Sequence, residues 1–166
     1  MVETWRKAQG AYAREGLVVT PDLSHQSVEE VSRTLVHEMS HQWWGLDALP
    51  GEEWFQEDWL SEGLATYCTY LWIRDKLGDL PGAEFLRAAG TSVHGMTGSL
   101  ARSPPWSPTG WSLTRFGGLL ALSALESQVP NLSERLRRFR QQHDGSFLTT
   151  EALIRELSAS VPGSWL

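Results

Sequence analysis

The stretch "LVHEMSHQWWG", Leu35 to Gly45, places two histidines four residues apart, with a glutamate directly after the first. On a helix each residue advances by about 100°, so His37 and His41 lie about 40° apart on one face, one turn above the other. Val28, Val31, Leu35, Met39 and Trp43 form a stripe roughly opposite them, which predicts a helix packed on that back face with its histidines turned to a cavity. Glu38 falls between the two faces. Two neutral imidazoles can hold Zn²⁺, and a carboxylate rotated off the ion can take a proton from water; this is the chemistry of the H-E-x-x-H pattern. Chance alone produces the pattern in a chain of this length on the order of once per hundred sequences, so the motif needs a third ligand before it outweighs an amphipathic helix that merely contains histidines.

Glu62, in "WLSEG", is that third candidate. Catalytic zinc takes three protein ligands and keeps one position open. Glu62 sits in a segment, about Gln56 to Lys76, that is apolar on nearly all sides and therefore predicts a buried helix. A carboxylate is costly to bury there unless a cation neutralises it, and an ion shared with His37 and His41 would do so. Thr66, one turn later, is a candidate partner for a ligating imidazole, with a hydroxyl bonded to its own helix as the alternative.

The remaining chain arranges itself around these two helices. "VETW" and "GLVVT" predict two short N-terminal strands. Ser27 and Glu30 form a capping box and Gly45 a stop, predicting a first helix of about eighteen residues. "LDALPGEE" reads as a loop, "LGDLPG" as the close of the second helix, and Ala83 to Ala89 as a short helix. "GMTGSLARSPPWSPTGW" is the longest irregular stretch and a candidate cleft rim. Three helices follow, Leu113 to Gln128, Ser133 to His143 and Thr150 to Ala159. The expected fold class is α+β, mainly helical, in one domain over residues 1–166: β edge strands in 1–24 and a helical lobe with the zinc site in 25–166.

Composition excludes other roles. A net charge of −6 argues against a nucleic-acid surface, which needs a positive field to neutralise phosphates. The one basic cluster, "SERLRRFRQQH", reads as a solvated helix face. The single cysteine, Cys68, rules out an internal disulfide and predicts a buried, inert thiol. No apolar run approaches the roughly 20 residues needed to cross a bilayer, and "MVETWRKAQG" lacks the apolar core of a leader peptide. The expectation is a cytoplasmic protein without membrane or nucleic-acid partners.

On "HEMSHQWWG" and "WFQEDWLSEGLATY" the sequence resembles the aminopeptidase N-type family of gluzincin zinc metallopeptidases. Twenty residues lie between His41 and Glu62, two more than in the family's pattern, and the excess falls in "LDALPGEE", a loop that absorbs it. The resemblance implies a thermolysin-like zincin fold: a small N-terminal β lobe, with an edge strand near Leu17 to Thr20, above two helices that carry the ligands. It implies one Zn²⁺ held by His37, His41 and Glu62, Glu38 as general base, and a peptide substrate laid along the edge strand. "GAYAREGLVV", Gly10 to Val19, lines up with the family segment whose glutamate grips the substrate's free amino terminus; here that position is Ala13, followed by Arg14. The family's oxyanion-binding tyrosine falls at Thr114 or Arg115 within "SLTRFGGLLALSALE". Arg115, always charged and always a donor, is the candidate replacement, with His94 as a rival. Family members carry a β-rich domain before this module and a helical domain after it, so flanking domains are implied to be missing. The alternative reading is a catalytically impaired zinc-binding scaffold or partner-binding module.

Overall fold

The computed structural model describes residues 2–3, 10–46, 49–50, 57–103 and 107–158. The N-terminal lobe is a three-stranded sheet of β1 (Val2–Glu3), β2 (Tyr12–Arg14) and β3 (Leu17–Thr20). β3 lies in the middle, parallel to β1 and antiparallel to β2, with Ala13 opposite Val18. The β2–β3 hairpin turns on Glu15 and Gly16, whose φ of +66° suits a residue without a side chain. Leu17 to Thr20 is therefore not a free edge as expected: β2 pairs along one side and β1 along the other at Val19 and Thr20, and among the described residues the outer strands are β1 and β2.

Helix α1 (Val28–Ser40) begins at the expected capping box, in which the Ser27 hydroxyl accepts from the Glu30 backbone N–H and the Glu30 carboxylate accepts from the Ser27 N–H. It is thirteen residues long rather than eighteen. The chain widens into a π-type turn over Gln42–Leu46, where Trp44 (φ −118°, ψ 95°) and Gly45 (φ +114°) leave helical geometry. The stripe predicted to pack is another correction: Val28, Met39 and Trp43 are 85%, 51% and 48% exposed. The buried residues of α1 are His37, Glu38 and Ser40, because α1 meets its neighbouring helix and the β lobe through its polar face.

That neighbour, α2 (Trp59–Leu77), is buried along most of its length, with Leu60, Leu64, Ala65 and Ile73 fully enclosed. Gly78, at φ +103°, ends it, and α3 (Asp79–Val93) starts at once. "LGDLPG" thus opens a fifteen-residue helix instead of a loop before a short one. Pro81 lies in the first turn, where its missing N–H leaves no bond unmade. After a 3₁₀ turn (Leu100–Arg102), α4 (Pro108–Ser112), a π-type segment (Leu113–Gly117) and α5 (Gly118–Glu126) run on from one another, against an expected single helix from Leu113.

α2 and α5 touch backbone to backbone: a Cβ built on Gly63 would lie 2.9 Å from the Gly118 Cα. Arg74 of α2 also makes a two-pronged ion pair with Glu126 of α5, at 2.9 and 2.7 Å. α6 (Leu132–Gln142) and α7 (Thr150–Ser158) match expectation within a residue or two. A two-residue parallel pair, β4 (Leu49–Pro50) with β5 (Phe147–Leu148), lies partly in the stretch expected as a loop; 47–48 and 51–53 of that loop, and 104–106 of the Gly/Ser/Pro-rich stretch, fall outside the described residues. Glu57 reaches across to accept from the backbone N–H and hydroxyl of Thr150, capping α7 from a distant part of the chain. Cys68 is half-buried, and burial pushes its thiol up, so it stays protonated. Among the described residues no helix is long and apolar enough to cross a membrane.

Candidate metal centre

His37 and His41 project from the last turn and end of α1, and Glu62 meets them from the first turn of α2. The two Nε2 atoms are 3.2 Å apart. His37 Nε2 lies 3.3 Å from Glu62 Oε2, and His41 Nε2 lies 3.5 Å from Glu62 Oε1. Ordinary Zn–N and Zn–O bonds of about 2.0–2.2 Å put the ligand atoms of a tetrahedron about 3.3–3.6 Å apart. The two carboxylate distances run to different oxygens, and with one donor atom taken from each residue the three lie within 4.8 Å of one another, close enough to gather on one ion; the donor set of two imidazoles and a carboxylate is suited to zinc. Without a cation, two imidazole nitrogens this close repel unless a proton sits between them.

The electrostatics favour the metal-binding forms. Burial, the largest effect, holds His37 below the ordinary imidazole range and outweighs the opposing pull of Glu62; the nearby Arg115 charge adds to the depression. Burial alone would raise the carboxyl of Glu62, but the hydrogen bond from His37 and the charges of His41, His37 and Arg115 bring it down to about 2. Glu38, beside the trio on the cleft wall, moves the other way: burial first, and then the charge of Glu62, raise it. A carboxyl held up in this way accepts a proton more readily than an ordinary one.

The centre opens into a cleft of about 610 Å³. Tyr12 and Ala13 of β2 form one wall, and Trp111 and Arg115 form another. The two positions left open for the family's tyrosine lie in different surroundings. Thr114 is fully buried, its hydroxyl donating to the Trp111 carbonyl, whereas Arg115 lines the cleft. Its guanidinium lies 5.1 Å from the centre of the Trp111 ring and 5.7 Å from that of Phe116, a stacked position on a π-type segment. His94 is exposed at the end of α3, away from the cleft. Thr66 donates to the Glu62 carbonyl within its own helix, so it does not support an imidazole. Arg14 does not line the cleft; its guanidinium lies 5.1 Å from the centre of the Tyr12 ring.

Sequence reasoning missed two contacts that hold this arrangement. The Gln42 side chain accepts from the Gly16 N–H at 2.8 Å and donates to the Arg14 carbonyl at 2.9 Å, which ties the hairpin to the end of α1. Ser61 lies 3.1 Å from His41 Nδ1, as does the Trp44 carbonyl. The signal for both was present in "HQWWG" and "WLSEG", but neither contact has a sequence periodicity.

Comparison with known proteins follows the same lines. The sequence model described as "Peptidase family M1 domain" matches residues 8–97. Aminopeptidase N from Homo sapiens is 38% identical over 61 residues, which are 36% of this chain and 6% of that protein. A zinc metallopeptidase of family M1 from Deinococcus radiodurans aligns at TM-score 0.75 and 25% identity, over 91% of this chain and 33% of its own. A variant of that enzyme, solved with a Tyr-Ser-Ala substrate, aligns at TM-score 0.81 and 24% identity, over 97% and 35%. The chain spans about a third of the length of these solved structures.

Proposed function

Since the chain belongs to peptidase family M1, we propose that it is a zinc-dependent peptidase module which hydrolyses peptide bonds with an activated water and has lost the family's anchor for a free amino terminus. The observation that carries this reading is the convergence of donor atoms from His37, His41 and Glu62 to within 4.8 Å of one another with Glu38 beside them. Held by those three residues, Zn²⁺ would polarise the scissile carbonyl and make water acidic enough to attack at neutral pH.

The chain's own groups supply the rest. Glu38 takes the proton from the attacking water and passes it to the departing amine. Arg115, braced against Trp111, directs its guanidinium into the cleft and donates to the oxyanion as charge develops there. β2, an outer strand among the described residues and part of the cleft wall, offers backbone groups for an extended peptide. Ala13 on that strand carries no carboxylate to hold a substrate ammonium, which favours internal or blocked peptides over strict removal of the first residue.

A second reading, a zinc-binding scaffold without peptidase activity, is favoured by Ala13 and Arg115 standing where the family pattern has a glutamate and a tyrosine. The test measures zinc content and hydrolysis of a mixed library of free and blocked peptides, with Glu38→Gln as control. Cleavage that needs zinc and disappears in the control supports the enzyme; bound zinc without Glu38-dependent cleavage supports the scaffold.

A further inference from the structure

The segment after His41 has a use that zinc ligation by the two histidines does not absorb. His41 Nδ1 lies 3.1 Å from the Trp44 carbonyl and 3.1 Å from Ser61 Oγ, and Ser61 Oγ itself lies 3.1 Å from the same carbonyl. A carbonyl oxygen has no proton to give. The Nδ1 contact to Trp44 therefore requires a proton on Nδ1, and the Ser61 hydroxyl directs its own proton to that carbonyl, leaving a lone pair toward the imidazole. Both acceptors select one neutral tautomer: Nδ1 protonated, Nε2 bearing the free lone pair. Nε2 is the nitrogen that faces His37 and Glu62. By contrast, His37 Nδ1 is buried with no hydrogen-bond partner among the described residues.

The local backbone exists in a form that only glycine supports. Gly45 sits at φ +114°, and a Cβ there would run into Ser61 Oγ and lie 3.7 Å from His41 Nδ1. The π-type turn over Gln42–Leu46 swings the Trp44 carbonyl back onto the imidazole, and the absence of a side chain at 45 leaves the space that Ser61 fills.

We propose that Ser61, the Trp44 carbonyl and Gly45 form a tautomer clamp on His41, with Ser61 and Gly45 as positioning residues that present Nε2 to the metal. The inference rests on the zinc reading above for its consequence, but not for its geometry. Loss of an outer hydrogen-bond partner of a ligating histidine typically weakens metal binding by about 10–100-fold.

The test compares wild type with Ser61→Ala, Gly45→Ala and the control Ser40→Ala. Ser40 is a buried serine beside His41 whose hydroxyl donates to the Val36 carbonyl in its own helix and meets the Cys68 thiol, away from the His41 imidazole's partners. Long-range ¹H–¹⁵N spectra of the metal-free protein report which His41 nitrogen carries the proton, and competition with a chromophoric chelator reports zinc affinity. Nδ1 protonation is expected in wild type, with zinc binding about 10-fold weaker in Ser61→Ala, about 100-fold weaker in Gly45→Ala and unchanged in Ser40→Ala. His41 protonated at Nε2 in the wild type, or wild-type zinc affinity in Ser61→Ala, overturns the clamp. If Gly45→Ala does not fold, Ser61→Ala, which leaves the backbone intact, decides alone. If wild type takes up no zinc, the functional reading fails and the tautomer spectrum still decides the clamp.

Discussion

Replacing Gly63 by alanine inserts a methyl group at the closest approach of α2 and α5. The new Cβ would lie 2.9 Å from the Gly118 Cα, 3.0 Å from the Thr114 carbonyl oxygen and 3.4 Å from the Gly118 carbonyl carbon. All three are backbone atoms, so no side chain can turn aside. Carbon atoms in ordinary contact sit about 3.5–4.0 Å apart, so the helices must separate by roughly 1 Å. Overpacking of this kind costs about 1–3 kcal/mol, and it is offset by the roughly 0.5–1 kcal/mol that alanine gains over glycine inside a helix. Gly90 in α3 provides the reference, since a Cβ there would meet nothing within 4 Å. Both variants share the helix-propensity gain, so their difference isolates the packing cost: Gly63→Ala should be less stable than Gly90→Ala by about 1–3 kcal/mol. Urea unfolding of the two measures it as a difference in midpoint at equal slope. A Gly63→Ala protein as stable as Gly90→Ala would refute the backbone contact. Zinc affinity provides a second readout, because Glu62 precedes the strained residue and moves with it.

Three further outcomes are expected. Glu126→Gln removes the partner of Arg74; the pair is partly exposed, so about 0.5–1 kcal/mol should be lost in low salt and less at high ionic strength, read from urea midpoints. Asp58 is raised from 3.8 to about 6, by burial first and then by the charge of Glu62. Its contribution to the stability of the metal-free protein is therefore complete below pH 3.8 and lost as pH rises to about 6. Asp58→Asn should remove that part of the decline, and identical pH–stability curves for the two proteins would count against it. Gln42→Ala cuts both bonds to the hairpin, so amide exchange at Gly16 should accelerate while zinc affinity stays near wild type; unchanged exchange at Gly16 would show that the hairpin does not depend on Gln42.

Which parts were legible in the sequence follows from the range of the interactions. The capping box, the helical spacing of His37 and His41 and the apolar character of α2 are properties of adjacent residues, and they appear in the structure at or near their expected places. The back stripe of α1 misled for a physical reason: apolar periodicity reports a face that can be buried, not the face that is. Here the histidine face is the one turned inward. Pro81 misled because a proline that ends a helix and one that opens the next look alike without the first-turn geometry. The edge strand was misplaced because pairing on both sides of β3 depends on β1 returning alongside it in parallel.

By itself, then, the sequence determined the donor types, their order and the helices that carry them, since these depend on covalent spacing and local backbone preference. Only the tertiary structure decided that donor atoms of the three residues gather within 4.8 Å of one another, that Arg115 rather than Thr114 lines the cleft, and that Ser61 closes on His41. Those contacts join α1 to α2 and α2 to the segment around α5. They follow from two glycines that let helices meet and one that lets a turn reverse, which is a matter of where backbones touch rather than of any pattern along the chain.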